Sequence, residues 1–121
     1  MYLYETLIKM KNSEIGDERL IVQPSPLKNV LDKIVNVTPI EYRFDTSKVK
    51  DFTKHYGLIA QEVEKEFPHI VTDSLKVSKH DPVLYKTIDH NQLISVMIAA
   101  IKQLNEQVNN IQEQINNDKN G

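Results

Sequence analysis

The chain holds few side chains able to do chemistry, and their spacing narrows the choice further. It has no cysteine, which excludes disulfides, thiolate metal sites and cysteine nucleophiles. Its four histidines, His55, His69, His80 and His90, share no metal-like spacing and read as scattered surface or packing residues. No metal and no other cofactor is expected. Glu62, Glu64 and Glu66 fall on alternating sides of a short helix, so they form no carboxylate cluster and read as a solvated face. The three glycines, Gly16, Gly57 and Gly121, are too few and too scattered to build a phosphate-cradling loop. The stretch from Asp45 to Lys54 interleaves aromatic and basic residues. It is short and balanced in charge, and the net charge is −2, so no nucleic-acid partner is expected.

The elements that position these residues come from a chain of 121 residues, one domain or a domain with an appendage. Apolar residues make up 40% and charged residues 26%, a globular balance. No apolar run approaches the roughly 18 residues of a membrane span, so no membrane partner is expected. The opening Met1-Tyr2-Leu3-Tyr4-Glu5 lacks the basic start and apolar stretch of a signal peptide.

Residues Tyr2 to Lys11 read as a strand or tail, Asn12 to Asp17 as a turn, and Leu20-Ile21-Val22 as a short β run. Ser25 and Pro26 look like the cap and first residue of a helix through Leu27, Val30, Leu31, Ile34 and Val35, ended by Thr38-Pro39. Strands are predicted at Ile40–Phe44 and Tyr56–Ala60, with a polar loop between them and a short helix at Gln61–Phe67 after them. His69–Val71 and Leu75–Val77 are expected to pair as a hairpin around Asp73-Ser74, and Pro82–Ile88 gives a last strand. Asp89 and Gln92 form a capping-box pattern that starts a long helix.

That helix carries the strongest periodicity. With Ile94 at heptad position a, Ile101, Val108 and Ile115 also fall at a; Met97, Leu104 and Ile111 fall at d, and His90 is the d position before them. The result is an apolar seam of period 3.5 over almost four heptads. Late in the helix its flanks are amides, Asn105, Gln107, Gln112 and Gln114, so the seam is narrow and suited to other helices. Earlier, Leu93, Val96, Ile98, Ala99 and Ala100 widen the stripe, and that half is expected to pack on the globular part as well. β-branched a positions with mostly unbranched d positions leave dimer and trimer close. Uncharged flanks suit a homo-oligomer. The predicted fold is α+β: a small domain of short strands and helices with a long C-terminal coiled-coil helix. Its expected parts are residues 1–15 as linker or end of an upstream fibre, 16–88 as the globular part with an arm, and 89–121 as the coiled-coil helix.

Three stretches resemble the intramolecular chaperone domain of phage tailspike and fibre proteins, the peptidase family S74 module. Gly16-Asp17-Glu18-Arg19-Leu20 is similar to that family's Ser-Asp-x-Arg-Leu-Lys opening. Asn29 to Ile34 followed by Thr38-Pro39 and Ile40 to Phe44 matches its helix, proline and aromatic strand. Tyr56-Gly57-Leu58-Ile59-Ala60-Gln61-Glu62-Val63-Glu64, with Phe67-Pro68 after it, resembles its Gly-x-Ile-Ala-Gln-Glu-Val block. The resemblance runs from about Gly16 to the C-terminus, with Arg19, Gly57, Ala60, Gln61 and Glu62 as motif residues. It implies a homotrimer with its interface at Ile94, Met97, Ile101, Leu104, Val108, Ile111 and Ile115. It also implies an upstream fibre, tailspike or neck appendage as partner, an arm at 45–54 that touches the fibre, action in the host cytoplasm during phage assembly, and release from the virion afterwards. Related readings are an active self-cleaving serine protease of the same fold, and an oligomerisation module of a cellular membrane-tethered transcription factor.

In that family the opening serine attacks the preceding peptide bond, assisted by a lysine five residues on. Here those positions are Gly16 and Ile21, so the dyad is absent. A serine hydroxyl is a weak nucleophile without a base. A displaced pair would use Ser13, beside Glu14, with Asp17 or Glu18 as base and Asn12–Ser13 as the scissile bond. The plain reading of Ser13 is a turn serine, and of Asp17 and Arg19 a turn cap and an ion pair.

Overall fold

The computed structural model describes residues 14–120. The expected turn at Asn12–Asp17 lies partly, and the strand or tail at Tyr2–Lys11 wholly, outside them.

A 3-10 turn at Glu18–Leu20 opens the described chain, and no strand follows at Leu20–Val22. Leu20 and Val22 are exposed and meet no partner edge that would make β structure worthwhile. The helix expected from Pro26 is a single turn, α1 (Leu31–Ile34). Asn29 takes a left-handed φ of 59°, which a right-handed helix cannot contain, so the chain turns there and helix begins only after Val30. No side chain at Val30 caps α1; instead Gln103, 72 residues away, accepts the Leu31 N–H through Oε1 at 3.1 Å.

β1 (Ile40–Tyr42) and β2 (His55–Gly57) form an antiparallel pair in the register Ile40 to Gly57 and Tyr42 to His55. α2 (Ala60–Glu66) follows and ends before a Pro68–Ile70 3-10 turn. β3 (Val71–Leu75) pairs antiparallel with β4 (Tyr85–Ile88), with an irregularity between Asp73 and Leu75. The hairpin expected around Asp73-Ser74 is therefore incorrect. Those residues lie inside β3, whose partner is β4, since Val71 is buried and Ile88 opposite it packs on the core.

α3 (His90–Asn120) starts where the capping box was read. Asp89 Oδ1 accepts the N–H groups of Asn91 and Gln92, and Gln92 Nε2 donates to Asp89 Oδ2 at 2.8 Å. The fold is thus α+β, two small antiparallel pairs and short helices against one long helix. Its core is Val30, Val37, Val63, Phe67, Ile70, Val71, Leu93, Val96 and Ala100. The first half of α3 supplies a third of that list and is part of the globular core, as the wide early stripe predicted; Ile98 is exposed.

Candidate functional site

In the opening motif, Asp17 Oδ1 accepts the Arg19 backbone N–H at 2.9 Å and Nε at 3.0 Å, and Oδ2 accepts Nη2 at 2.7 Å. This caps the 3-10 turn and makes a bidentate ion pair on the surface. The Arg19 hydrogen bonds hold the Asp17 carboxyl below its ordinary value. A carboxylate stabilised in this way is a weaker proton acceptor, so Asp17 is poorly suited to activate a hydroxyl. Glu18 is exposed in the same turn, and Ser13 lies outside the described residues. At Gly16 an added Cβ would sit 3.9 Å from Glu14 Oε2, an ordinary contact.

The second motif is a structural hub. Gly57 has no positive φ; its constraint is space, because a Cβ there would stand 3.0 Å from Tyr42 Cε1. The Tyr42 ring stacks on His55 at 5.5 Å and meets Phe44 edge-on at 5.3 Å. Ala60 begins α2 and packs against the core, while Gln61 is exposed. The three glutamates of α2 are not a solvated face. Glu62 accepts the Thr38 backbone N–H, Glu66 accepts from Asn36 Nδ2 at 3.2 Å, and Glu64 accepts from Lys86 Nζ at 3.1 Å. Lys86 also reaches Asp73 at 2.9 Å. Alternation sends each carboxylate to a different neighbour, so one helix ties the approach to β1 and the β3–β4 pair together.

Loop 45–54 is tied down at both ends. Arg43 Nη1 donates to the Phe52 carbonyl at 2.9 Å. Lys48 Nζ donates to Tyr85 Oη at 3.0 Å, and Tyr85 in turn donates to Asp81 at 2.8 Å. The Tyr85 hydrogen bond raises the Lys48 pKa above its ordinary value. Asp51 accepts from Thr53 and meets His55 Nε2 at 2.9 Å, and these bonds, Thr53 first, lower its carboxyl to about 2. Among the described residues no three His, Asp or Glu side chains gather as a metal site.

The seam residues of α3 share one property. Ile94, Met97, Ile101, Leu104, Val108, Ile111 and Ile115 are each 47–65% exposed. One flank around the helix, Leu93, Val96 and Ala100 are buried against the domain. From Leu104 to Lys119 every residue is exposed. No described helix is long and apolar enough to cross a membrane. Long-range bonds such as Gln103 to Leu31 and Lys48 to Tyr85 carry no local sequence signal, and they were not foreseen.

The family model Peptidase_S74, described as chaperone of endosialidase, matches residues 17–72, so this segment is similar to that family. The match includes Asp17, Arg19 and the Gly57–Glu62 block and ends within β3, so β4 and α3 lie beyond it. No curated protein matches the chain.

Proposed function

We propose that this chain is a C-terminal intramolecular chaperone that assembles as a parallel homotrimer through α3. It holds three copies of an upstream tailspike, fibre or neck appendage in register while they fold in the host cytoplasm. The observation that carries this reading is the exposed seam from Ile94 to Ile115, beside a flank already satisfied by the chain's own core. Contiguous apolar surface of this kind marks an interaction site, and a heptad seam fits other helices. The seam itself leaves dimer and trimer close, and the choice of three strands rests on the family resemblance.

The physical benefit is plain. Intertwined fibres depend on long-range contacts, fold slowly and expose sticky surface. A short coiled coil forms from local contacts and brings the attached chains to an effective concentration on the order of mM. Residues 1–15 then lead from the fibre, 16–88 form the globular part, and 89–121 form the coil. Self-cleavage at Ile15–Gly16 has no place in this chain, because neither Gly16 nor Ile21 supplies the chemistry. Sedimentation equilibrium of the purified chain tests the reading: a species of three chain masses is expected, and a stable folded monomer refutes it.

A further inference from the structure

Residues 14–29 are all exposed, and the first buried residue of the described chain is Val30. Within this stretch Leu20, Ile21 and Val22 are 71%, 45% and 85% exposed. Arg19 is held by Asp17, and the Leu20 and Ile21 N–H groups donate to the Asp17 and Glu18 carbonyls at 3.0 and 3.2 Å. Those are the last ties: among the described residues, the backbone of residues 22–28 makes no hydrogen bond. Ile21 is extended, with φ −106° and ψ 132°. Gln23 takes a left-handed φ of 52°, which is costly for a residue with a Cβ. Beyond it, Pro24 and Pro26 carry rings in place of the N–H and close the stretch.

We propose that Ile21-Val22-Gln23 is a processing site for an endoprotease acting in trans, of the class that seats an aliphatic side chain before the scissile bond. A protein that binds an extended segment does so through main-chain hydrogen bonds, with pockets for alternate side chains. This stretch offers free backbone groups, extended geometry and exposed branched side chains together. Exposed backbone without hydrogen bonds or burial is where nicking concentrates. Water supplies the atoms of the step. Its oxygen joins the carbonyl carbon of Ile21 or Val22 to give a carboxylate, the C–N bond breaks, and the following nitrogen leaves as an amine. The nucleophile and base belong to the external enzyme, so their absence at Gly16 and Ile21 is no obstacle. The cut takes nothing from the core and separates the domain from whatever precedes it. Other exposed stretches are tied. Arg43 and Lys48 pin the 45–54 loop, Asp81 accepts the Val83 N–H beside Leu84, and the aliphatic residues beyond Gln103 lie in helix. The site is complete in one chain and needs no assembly, so it stands or falls apart from the trimer reading.

The experiment incubates the full chain with pancreatic elastase, whose small pocket suits short aliphatic side chains, and follows intact mass. The expected first cut beyond Glu14 leaves a fragment that begins at Val22 or Gln23, with the melting temperature of the uncut chain. The double variant Ile21→Asp, Val22→Asp changes only exposed side chains, so it should keep that melting temperature and lose this cut. A first cut beyond Glu14 at any other bond, a cut here that survives the double substitution, or a fragment that melts lower than the uncut chain overturns the site.

Discussion

Replacing both Ile101 and Leu104 with aspartate should dissolve the assembly and spare the domain. Each seam side chain is about half exposed in the single chain. Full burial of a large aliphatic side chain is worth about 1.5–3 kcal/mol, so covering the remaining half gives roughly 1 kcal/mol per residue. Seven such residues give roughly 7 kcal/mol per chain and about 20 kcal/mol per trimer, against an association cost on the order of 4–15 kcal/mol. The double substitution removes two of seven contributions in every chain, roughly 6 kcal/mol per trimer. It also places three carboxylates in each of two adjacent layers, which must be desolvated or protonated at a further cost of several kcal/mol. The expected loss of association exceeds a factor of about 10⁴. Neither residue touches the buried core, so the fold around Val63 and Ile70 should persist. Free helix beyond Gln103 should fray, because an isolated segment of about 15 residues is marginal in water. Sedimentation velocity should therefore show trimer for the parent chain and monomer for the variant, with a partial fall in helical circular dichroism. A variant that stays trimeric, or a parent chain that is monomeric with its C-terminal helix intact, refutes the reasoning.

Gly57→Val should lower stability by about 1–3 kcal/mol, because its side chain must displace the Tyr42 ring; an unchanged melting temperature would contradict this. Asp89→Ala should lose about 1 kcal/mol through the missing cap of α3, read by thermal melting. The Asp51 carboxyl, lowered to about 2, lies below the unfolded value of about 3.9; its stabilising effect is full above about pH 5 and vanishes as pH falls toward 2. The melting-temperature gap between the parent chain and Asp51→Asn should close over that range, and a constant gap argues against the bond network. The parent chain should show no cut at Ile15–Gly16 by intact mass; Gly16→Ser alone should cleave little, because Ile21 accepts no proton, and a fragment starting at Gly16 in the parent would overturn this. A fragment starting at Ser13 would instead support the displaced serine.

The parts of the fold that were legible in the sequence are those whose cause is local. Asp89 and Gln92 sit three residues apart and cap α3 as the pattern implies. The paired strands and the helix after them follow from alternation, a loop and Pro68, although the strands are Ile40–Tyr42 and His55–Gly57 rather than Ile40–Phe44 and Tyr56–Ala60, and Ala60 already begins the helix. The heptad of α3 separated its seam from its domain-facing flank before any contact was known. What was misread had a nonlocal or single-residue cause. The helix expected from Pro26 is cut by one left-handed residue, Asn29, whose type allows that conformation without requiring it. Asp73-Ser74 looked like a turn, but the buried Val71 and its partner Ile88 draw the whole run into a strand. The α2 glutamates looked solvated because Thr38, Asn36 and Lys86, the groups they bind, are 22 to 30 residues away.

The division of α3 into two stripes would let one helix serve both the core and the proposed assembly without conflict. Leu93, Val96 and Ala100 face the domain, and Gln103 ends that contact by capping α1. At 1.5 Å per residue, α3 is about 46 Å long, and less than half of that length lies against the core. The remainder gains nothing from the single chain, since every residue from Leu104 to Lys119 is exposed, yet it keeps the heptad through Ile115. A sequence shaped only by its own core would have no reason to place Val108, Ile111 and Ile115 on one stripe beyond the reach of that core. The two stripes lie on adjacent flanks of the helix, so substitutions in one should leave the other working. Damage at Val96 should act through folding, and damage at Ile101 through association.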